Sequence, residues 1–256
     1  MKQRRKIAGV DSALLIKDAL KIMPDPARRL FLRGAASLGA LTFLTGCDLI
    51  DSDATEGVLR KISEFNDGAQ AALFSHRLAP TYPESAITTP FPFNGYYDED
   101  DAPVVDGATY KLEVAGLVDN KKPWTLTELH ALPEVSQITR HVCVEGWSAI
   151  GSWQGAQLSE FLKRIGADTR AKYVWFKCAE GYTNTIDMAS ALHPQTQMSF
   201  KYANEILPRA YGFPMKIRMP HKLGFKQPKY VVAMEVTNTD KGGYWEDKGY
   251  NWFSGL

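Results

Sequence analysis

The chain has 256 residues, 45% of them hydrophobic, enough for one large globular domain or two small ones with a sizeable core. Thirty Lys and Arg balance 29 Asp and Glu, leaving a formal net charge of +1, so no polyanionic partner and no nucleic acid is expected. The three cysteines, Cys47, Cys143 and Cys178, supply neither a haem-attachment motif nor an iron–sulfur spacing.

The N-terminal segment reads as a targeting signal. Ala27–Arg33 is basic, with paired Arg28 and Arg29 followed by Leu30-Phe31-Leu32, and Gly34–Leu44 is a weakly apolar run of small residues. That run is too short to span a bilayer, which takes about 20 apolar residues. The order resembles a twin-arginine export signal, of the kind read by the pathway that moves folded proteins. Leu44-Thr45-Gly46-Cys47 directly after it resembles a bacterial lipobox, with Cys47 as the lipidated residue. Residues 1–46 are therefore expected to be a twin-arginine-type lipoprotein signal, and the location the periplasmic face of the bacterial inner membrane.

Residues 47–101 read as anchor linker and wrapping segment. Glu56–Leu73 has helical character, and Pro80, Pro83, Pro90 and Pro92 then enforce extended chain. Phe93-Asn94-Gly95-Tyr96-Tyr97-Asp98 places an amide, aromatics and a carboxylate around a glycine turn, suited to a surface turn or to hydrogen bonding a heterocycle.

The remaining 102–256 form the expected catalytic domain. Tyr110–Val114 alternates as a half-buried strand, and Thr125-Leu126-Thr127-Glu128 fits a capping box that opens a short helix through Leu132. Ile138–Val144 is a strand broken by Gly146. Leu158, Phe161, Leu162 and Ile165 fall on one helical face that Gly166 ends. Tyr173–Cys178 is a second strong strand. After it, Ala179–Thr185 reads as a polar turn leading to a short helix at Asp187–Leu192. Met198–Tyr202, Lys216–Met219 and Tyr230–Thr237 are further strands. Short strands outnumber helices without regular alternation, which indicates an α+β fold rather than a doubly wound sheet.

Cys143 closes the Ile138–Val144 strand just before a glycine-containing loop, where a thiol can ligate a soft metal, act as a nucleophile, join a disulfide, or pack as a small buried residue. His141 shares its strand face, but no third residue orients a nucleophilic pair. A Cys143–Cys178 disulfide in an exported, non-catalytic lipoprotein is the main structural alternative.

Several segments resemble, in order, one family. Cys143-Val144-Glu145-Gly146-Trp147, Gly181-Tyr182-Thr183, Leu207-Pro208 with Gly212 and Pro214, Gly224-Phe225-Lys226, and Gly243-Tyr244-Trp245-Glu246-Asp247-Lys248-Gly249-Tyr250 are similar to the sulfite-oxidase family of molybdopterin enzymes. The likeness is greatest to the exported methionine sulfoxide reductase catalytic subunits and their small relatives.

The resemblance implies a mixed, strand-rich α+β domain holding molybdenum on a molybdopterin dithiolene, with the Cys143 thiolate on the metal. It implies cofactor contacts from Asn94, Tyr97, Asp98, Cys143, Cys178, Tyr211, Lys216, Gly224, Phe225 and Lys226, and a catalytic set of Cys143, Trp147 and Tyr211. Cys178 stands where Thr is usual, Tyr211 where Asn is usual and Lys216 where Arg is usual. Lys216 keeps the charge but loses the planar fork. The implied reaction is two-electron oxygen-atom transfer: reduction of an S- or N-oxide or, alternatively, a sulfite-type dehydrogenation of an oxyanion. Electrons are expected from a membrane cytochrome or quinone-linked partner. The chain lacks length for the extra dimerisation domain of larger members, so a monomer is expected.

Overall fold

The computed structural model describes residues 53–74 and 77–256; the export signal and Cys47 lie outside the described residues. The chain divides into two compact units, residues 1–61 and 62–256, and everything that builds the site belongs to the second. In chain order the strands are β1 (Lys111–Gly116), β2 (Trp124–Thr125), β3 (Glu134–Val142), β4 (Ser148–Gln157), β5 (Tyr173–Cys178), β6 (Thr183–Asp187), β7 (Gln197–Tyr202), β8 (Glu205–Ile206), β9 (Lys216–Arg218) and β10 (Val231–Thr237). The helices are α1 (Asp53–Phe74), α2 (Leu126–His130), α3 (Leu158–Arg164) and α4 (Met188–Leu192).

One sheet runs β2-β1-β10-β5-β6, with β1 and β10 parallel and the other neighbours antiparallel. The alternation in β1 puts Leu112 and Val114 inside, where they join Val174 and Phe176 of β5 and Met234 and Val236 of β10. Leu158, Phe161 and Leu162 of α3 cover the same core, with Ile165 just beyond the helix. Burying each such side chain stabilises the fold by about 1.5–3 kcal/mol. The expected capping box is present on α2: the Thr125 hydroxyl accepts from the Glu128 N–H, and the Glu128 carboxylate accepts from the Thr125 N–H.

The other sheet runs β3-β4-β7-β8, with β9 also on β7. The β3–β4 hairpin is its longest pairing, from Glu134↔Ala156 to Val142↔Ser148. The Pro-rich segment runs alongside as extended chain: the Tyr82 N–H donates to the Ile138 carbonyl, the Thr88 N–H to the Ile150 carbonyl, and the Ile150 N–H to the Thr88 hydroxyl.

The short β2 and β8 and the longer β4 and β6 differ from the sequence reading. Residues Thr183–Thr185, expected as the end of a polar turn, instead open β6 (Thr183–Asp187), whose Asn184, Thr185 and Ile186 are buried against β5. The ten-residue β4 fell in a stretch assigned to no element. Its Gly151 and Gly155 weaken strand propensity but meet a steric need: a Cβ on Gly155 would sit 1.9 Å from the Met198 carbonyl oxygen of β7, and one on Gly151 would sit 2.7 Å from the Trp153 indole nitrogen.

Candidate active site

The β3–β4 hairpin ends in a tight loop that aims Cys143. The Cys143 N–H donates to the Trp147 carbonyl at 2.9 Å and the Gly146 N–H to the Cys143 carbonyl at 3.2 Å, with Gly146 at φ +92°, a left-handed conformation suited to glycine. The sulfur is nearly buried yet lies on the wall of a cleft with Asn94, Tyr97, Glu180, Gly224 and Lys229. The Asn94 amide donates to Sγ at 3.5 Å. Sγ also lies 3.6 Å from a Glu145 carboxylate oxygen that accepts from the Trp147 indole at 3.0 Å. Desolvation raises the Cys143 pKa, so without a cation the sulfur holds its proton; a coordinated metal reverses that balance. Cys143 and Cys178 are both free thiols, which removes the disulfide alternative.

The mouth of the cleft is aromatic. Tyr96 stacks on Tyr244 with centroids 4.7 Å apart, and Tyr182 and Trp245 pack against the same ring. The cleft encloses about 80 Å³ and opens to solvent, with about 570 Å³ of empty space counted to its mouth.

Its electrostatics are unbalanced. Lys216, Arg218 and Lys229 are 2%, 0% and 7% exposed, and among the described residues none forms an ion pair. Lys216 and Arg218 lie over the Trp153 ring, and Lys229 donates to the Ala210 carbonyl at 3.1 Å. Burial first, then the neighbouring cations, pushes the Lys216 pKa well below its ordinary value; burial lowers Lys229 to about 8. One carboxyl faces them from the cleft wall. Glu180 has an oxygen with no hydrogen-bond partner, and desolvation raises its pKa to about 7. Buried positive charge without internal compensation is costly unless an anion completes it. The donor set therefore fits an anionic organic group that carries hydrogen-bonding edges. Gly224 leaves a close approach that a Cβ would fill, 2.5 Å from the His141 ring nitrogen.

Of the residues singled out in the sequence, Asn94, Tyr97, Cys143, Gly224 and Phe225 meet on this cleft. Asp98 is exposed at the start of a helical turn. Cys178 is buried in the main core, where desolvation holds its thiol protonated. Trp147 and Tyr211 pack in a second aromatic cluster around Phe91 and Trp153, and the Tyr211 hydroxyl donates to the Phe91 carbonyl. Lys226 turns away from the cleft: it pairs with Glu246 and donates to the Thr185 carbonyl at 2.8 Å. The ammonium on the cleft wall is that of Lys229. The helical turn Gly224–Lys226 puts the buried Gly224 and the half-buried Phe225 on the cleft wall and sends the buried Lys226 elsewhere. Glu145, Glu180, Gln227 and Lys229 also line the wall and were not singled out; the only hint was their proximity in sequence to Cys143, Cys178 and Gly224.

A single soft sulfur at a sheet end, buried cations without a paired carboxylate and a hydrogen-bonding cleft suit an anionic cofactor that carries a soft metal. The chain belongs to the oxidoreductase molybdopterin binding domain family, whose model matches residues 99–245. It is a molybdopterin-binding oxidoreductase with a strand-rich α+β fold of the sulfite-oxidase type. A protein of Azospira oryzae, provisionally named protein-methionine-sulfoxide reductase subunit YedZ1, is 56% identical over 257 residues, covering 99% of this chain and 98% of the relative. The protein-methionine-sulfoxide reductase catalytic subunit MsrP of Ralstonia nicotianae is 27% identical across 65% of this chain, which spans 59% of that relative's length. Among solved structures, the sulfane dehydrogenase SoxCD of Paracoccus pantotrophus shares the fold, with a TM-score of 0.51 at 18% identity, over 54% of this chain and 40% of that one.

Proposed function

We infer that this enzyme reduces an S-oxide, of the methionine sulfoxide type, by two-electron oxygen-atom transfer at a molybdenum held by the Cys143 thiolate. The near-full-length likeness to a protein named as a methionine-sulfoxide reductase subunit carries the reading. When bound, the molybdenum cofactor supplies a centre that exchanges two electrons and one oxygen atom with substrate. Asn94, Tyr97, Gly224 and Lys229 would hold the pterin on the cleft wall, and Lys216 and Arg218 supply positive potential from the interior.

The cleft favours a neutral substrate over a dianion. Tyr96, Tyr182 and Trp245 offer apolar faces that suit a thioether, with sulfur–aromatic contacts worth about 0.3–1.5 kcal/mol each. Glu145 on the same wall repels sulfite. Reduction of a sulfoxide to a thioether and water consumes two electrons and two protons. Glu180, whose pKa is raised to about 7, holds a proton at its carboxyl group beside the reacting space. Electrons come from a membrane-bound redox partner. Export through the twin-arginine signal, lipidation at Cys47, a periplasmic location and a monomeric state belong to the same proposal, as does the division into signal, linker and catalytic domain.

The test is turnover of methionine sulfoxide against sulfite with a reduced viologen dye, alongside molybdenum analysis of the purified full chain. Expected are sulfoxide reduction, stoichiometric molybdenum, and loss of about 10³-fold in rate for Cys143→Ser, equivalent to about 4 kcal/mol of barrier. Full molybdenum-dependent activity in Cys143→Ser, or turnover of sulfite alone, refutes the reading.

A further inference from the structure

Helix α1 is docked by its polar side. Residues 62–74 of it belong to the second compact unit, where Asp67 accepts from the Asn251 amide at 2.6 Å and from the Phe253 N–H at 3.0 Å. Gln70 accepts from the Gly255 N–H at 3.4 Å. The helix thus holds the C-terminal tail through two polar side chains. At 3.6 residues per turn, Ile62, Phe65 and Leu73 fall about 120–160° round the helix from Asp67, so they share the face turned away from that contact. They are 45%, 76% and 72% exposed. A helix on the surface of its own domain ordinarily turns its apolar stripe inward, so this stripe lacks the cover that such stripes are built for.

The chain before the helix indicates what covers it. Residues 48–52 alone separate Cys47 from the start of α1 at Asp53. A fully extended chain gives at most about 3.6 Å per residue, which keeps the first turn of the helix within about 20 Å of an acyl chain on that sulfur. Among the described residues no helix is long and apolar enough to cross a membrane, so α1 would lie on a bilayer and not span it. The helix carries four carboxylates, Asp53, Glu56, Glu64 and Asp67, against Arg60 and Lys61. Anionic headgroups therefore do not attract it, and contact must come from the apolar face.

We propose that the face of α1 formed by Ile62, Phe65 and Leu73 seats on the headgroup–acyl boundary of the bilayer that holds the Cys47 anchor. Such a seat presupposes the lipidation of Cys47 proposed above. An anchor alone limits the distance of the domain from the membrane; a seated helix adds a second attachment and fixes which way the domain faces. The tail held by α1 links that orientation to the cleft, since Tyr250 just before it packs on Phe225 and Trp245 of the cleft wall.

An added tryptophan reads the face directly. Phe65→Trp and, at an exposed position about 40° from Asp67 round the helix, Ser63→Trp are each purified from membranes and reconstituted into phosphatidylcholine vesicles with brominated acyl chains. After subtraction of the parent chain's fluorescence, the indole introduced at position 65 should be quenched at least about twofold more than the one at position 63. The difference should persist in about 0.5 M salt, because the contact is apolar. Adding Ile62→Glu with Leu73→Glu should abolish it while leaving molybdenum content and dye-linked turnover unchanged. Equal quenching at the two positions, or none at either, overturns the proposal. So does an indole at position 65 that is shielded from aqueous iodide only in membranes holding the redox partner, which assigns the face to that protein. The mass of the chain recovered from membranes reads the anchor separately. An acylated Cys47 with no quenching at position 65 sinks the seat and keeps the anchor; an unmodified Cys47 with quenching sinks the anchor and keeps the seat.

Discussion

Two groups of cations are buried in this protein, and they are solved in opposite ways. Lys226 is paired with Glu246, itself only 6% exposed, and Lys222 reaches Asp187 at 3.5 Å and the Phe253 carbonyl at 2.7 Å. Lys216, Arg218 and Lys229 are also buried and form no ion pair among the described residues. The first group is complete within the chain and ties the C-terminal segment to the fold. The second has no paired carboxylate among the described residues: Arg218 donates to neutral acceptors on Gln227, Thr139 and Arg140, and Lys229 to the Ala210 carbonyl. Burial and charge therefore do not mark a ligand site by themselves; the missing counter-charge does.

Removing one member from each group should have opposite consequences. Lys226→Met strands the Glu246 carboxylate in the interior and should destabilise the chain by about 3–5 kcal/mol in urea unfolding. Adding Glu246→Leu removes the stranded charge and should recover most of that loss, as expected when a paired site is replaced whole. A cost under about 1 kcal/mol for the single variant would mean that the pair is not structural. Lys216→Met instead deletes an uncompensated charge and should stabilise the cofactor-free chain by about 1–3 kcal/mol. The same variant should retain molybdenum and pterin about tenfold less well under dialysis, a difference of about 1.4 kcal/mol. If Lys216→Met destabilises the cofactor-free chain as Lys226→Met does, the contrast between the two groups collapses.

This contrast also explains what could be read in the sequence. Strand β5, helix α3 and the Thr125–Glu128 capping box follow from local pattern, since their periodicity and caps are written in consecutive residues. The placement of Cys143 at a sheet end also follows from its strand and from Gly146. Strand β4 does not, because the fit of Gly155 against Met198 is a long-range steric fact. Nor can the sequence tell Lys226 from Lys229: three residues apart in a glycine-opened turn, one meets Glu246 and the other the cleft, and only the fold decides which. Glu180 escaped notice for the same reason, since its chemistry comes from desolvation and not from a motif.

An equally small expected effect tests the cleft's own acid. Glu180 keeps its proton below about pH 7 because burial disfavours the carboxylate, while Lys229 pulls the other way. If the protonated carboxyl supplies a proton to the departing oxygen, kcat/KM falls as pH rises through about 7. Glu180→Gln should remove that limb and lower the rate at acidic pH by about tenfold, or 1.4 kcal/mol of barrier. The loss stays modest because exposed Glu145 and water remain as other proton sources. Lys229→Met removes the cation that favours the ionised form, so in whatever fraction of that variant loads cofactor, the same limb should move to higher pH. A limb that stays in place in Lys229→Met yet vanishes in Glu180→Gln would show that the two groups do not share a field. A limb that survives Glu180→Gln would assign the titration to another group and leave Glu180 as a wall of the cleft.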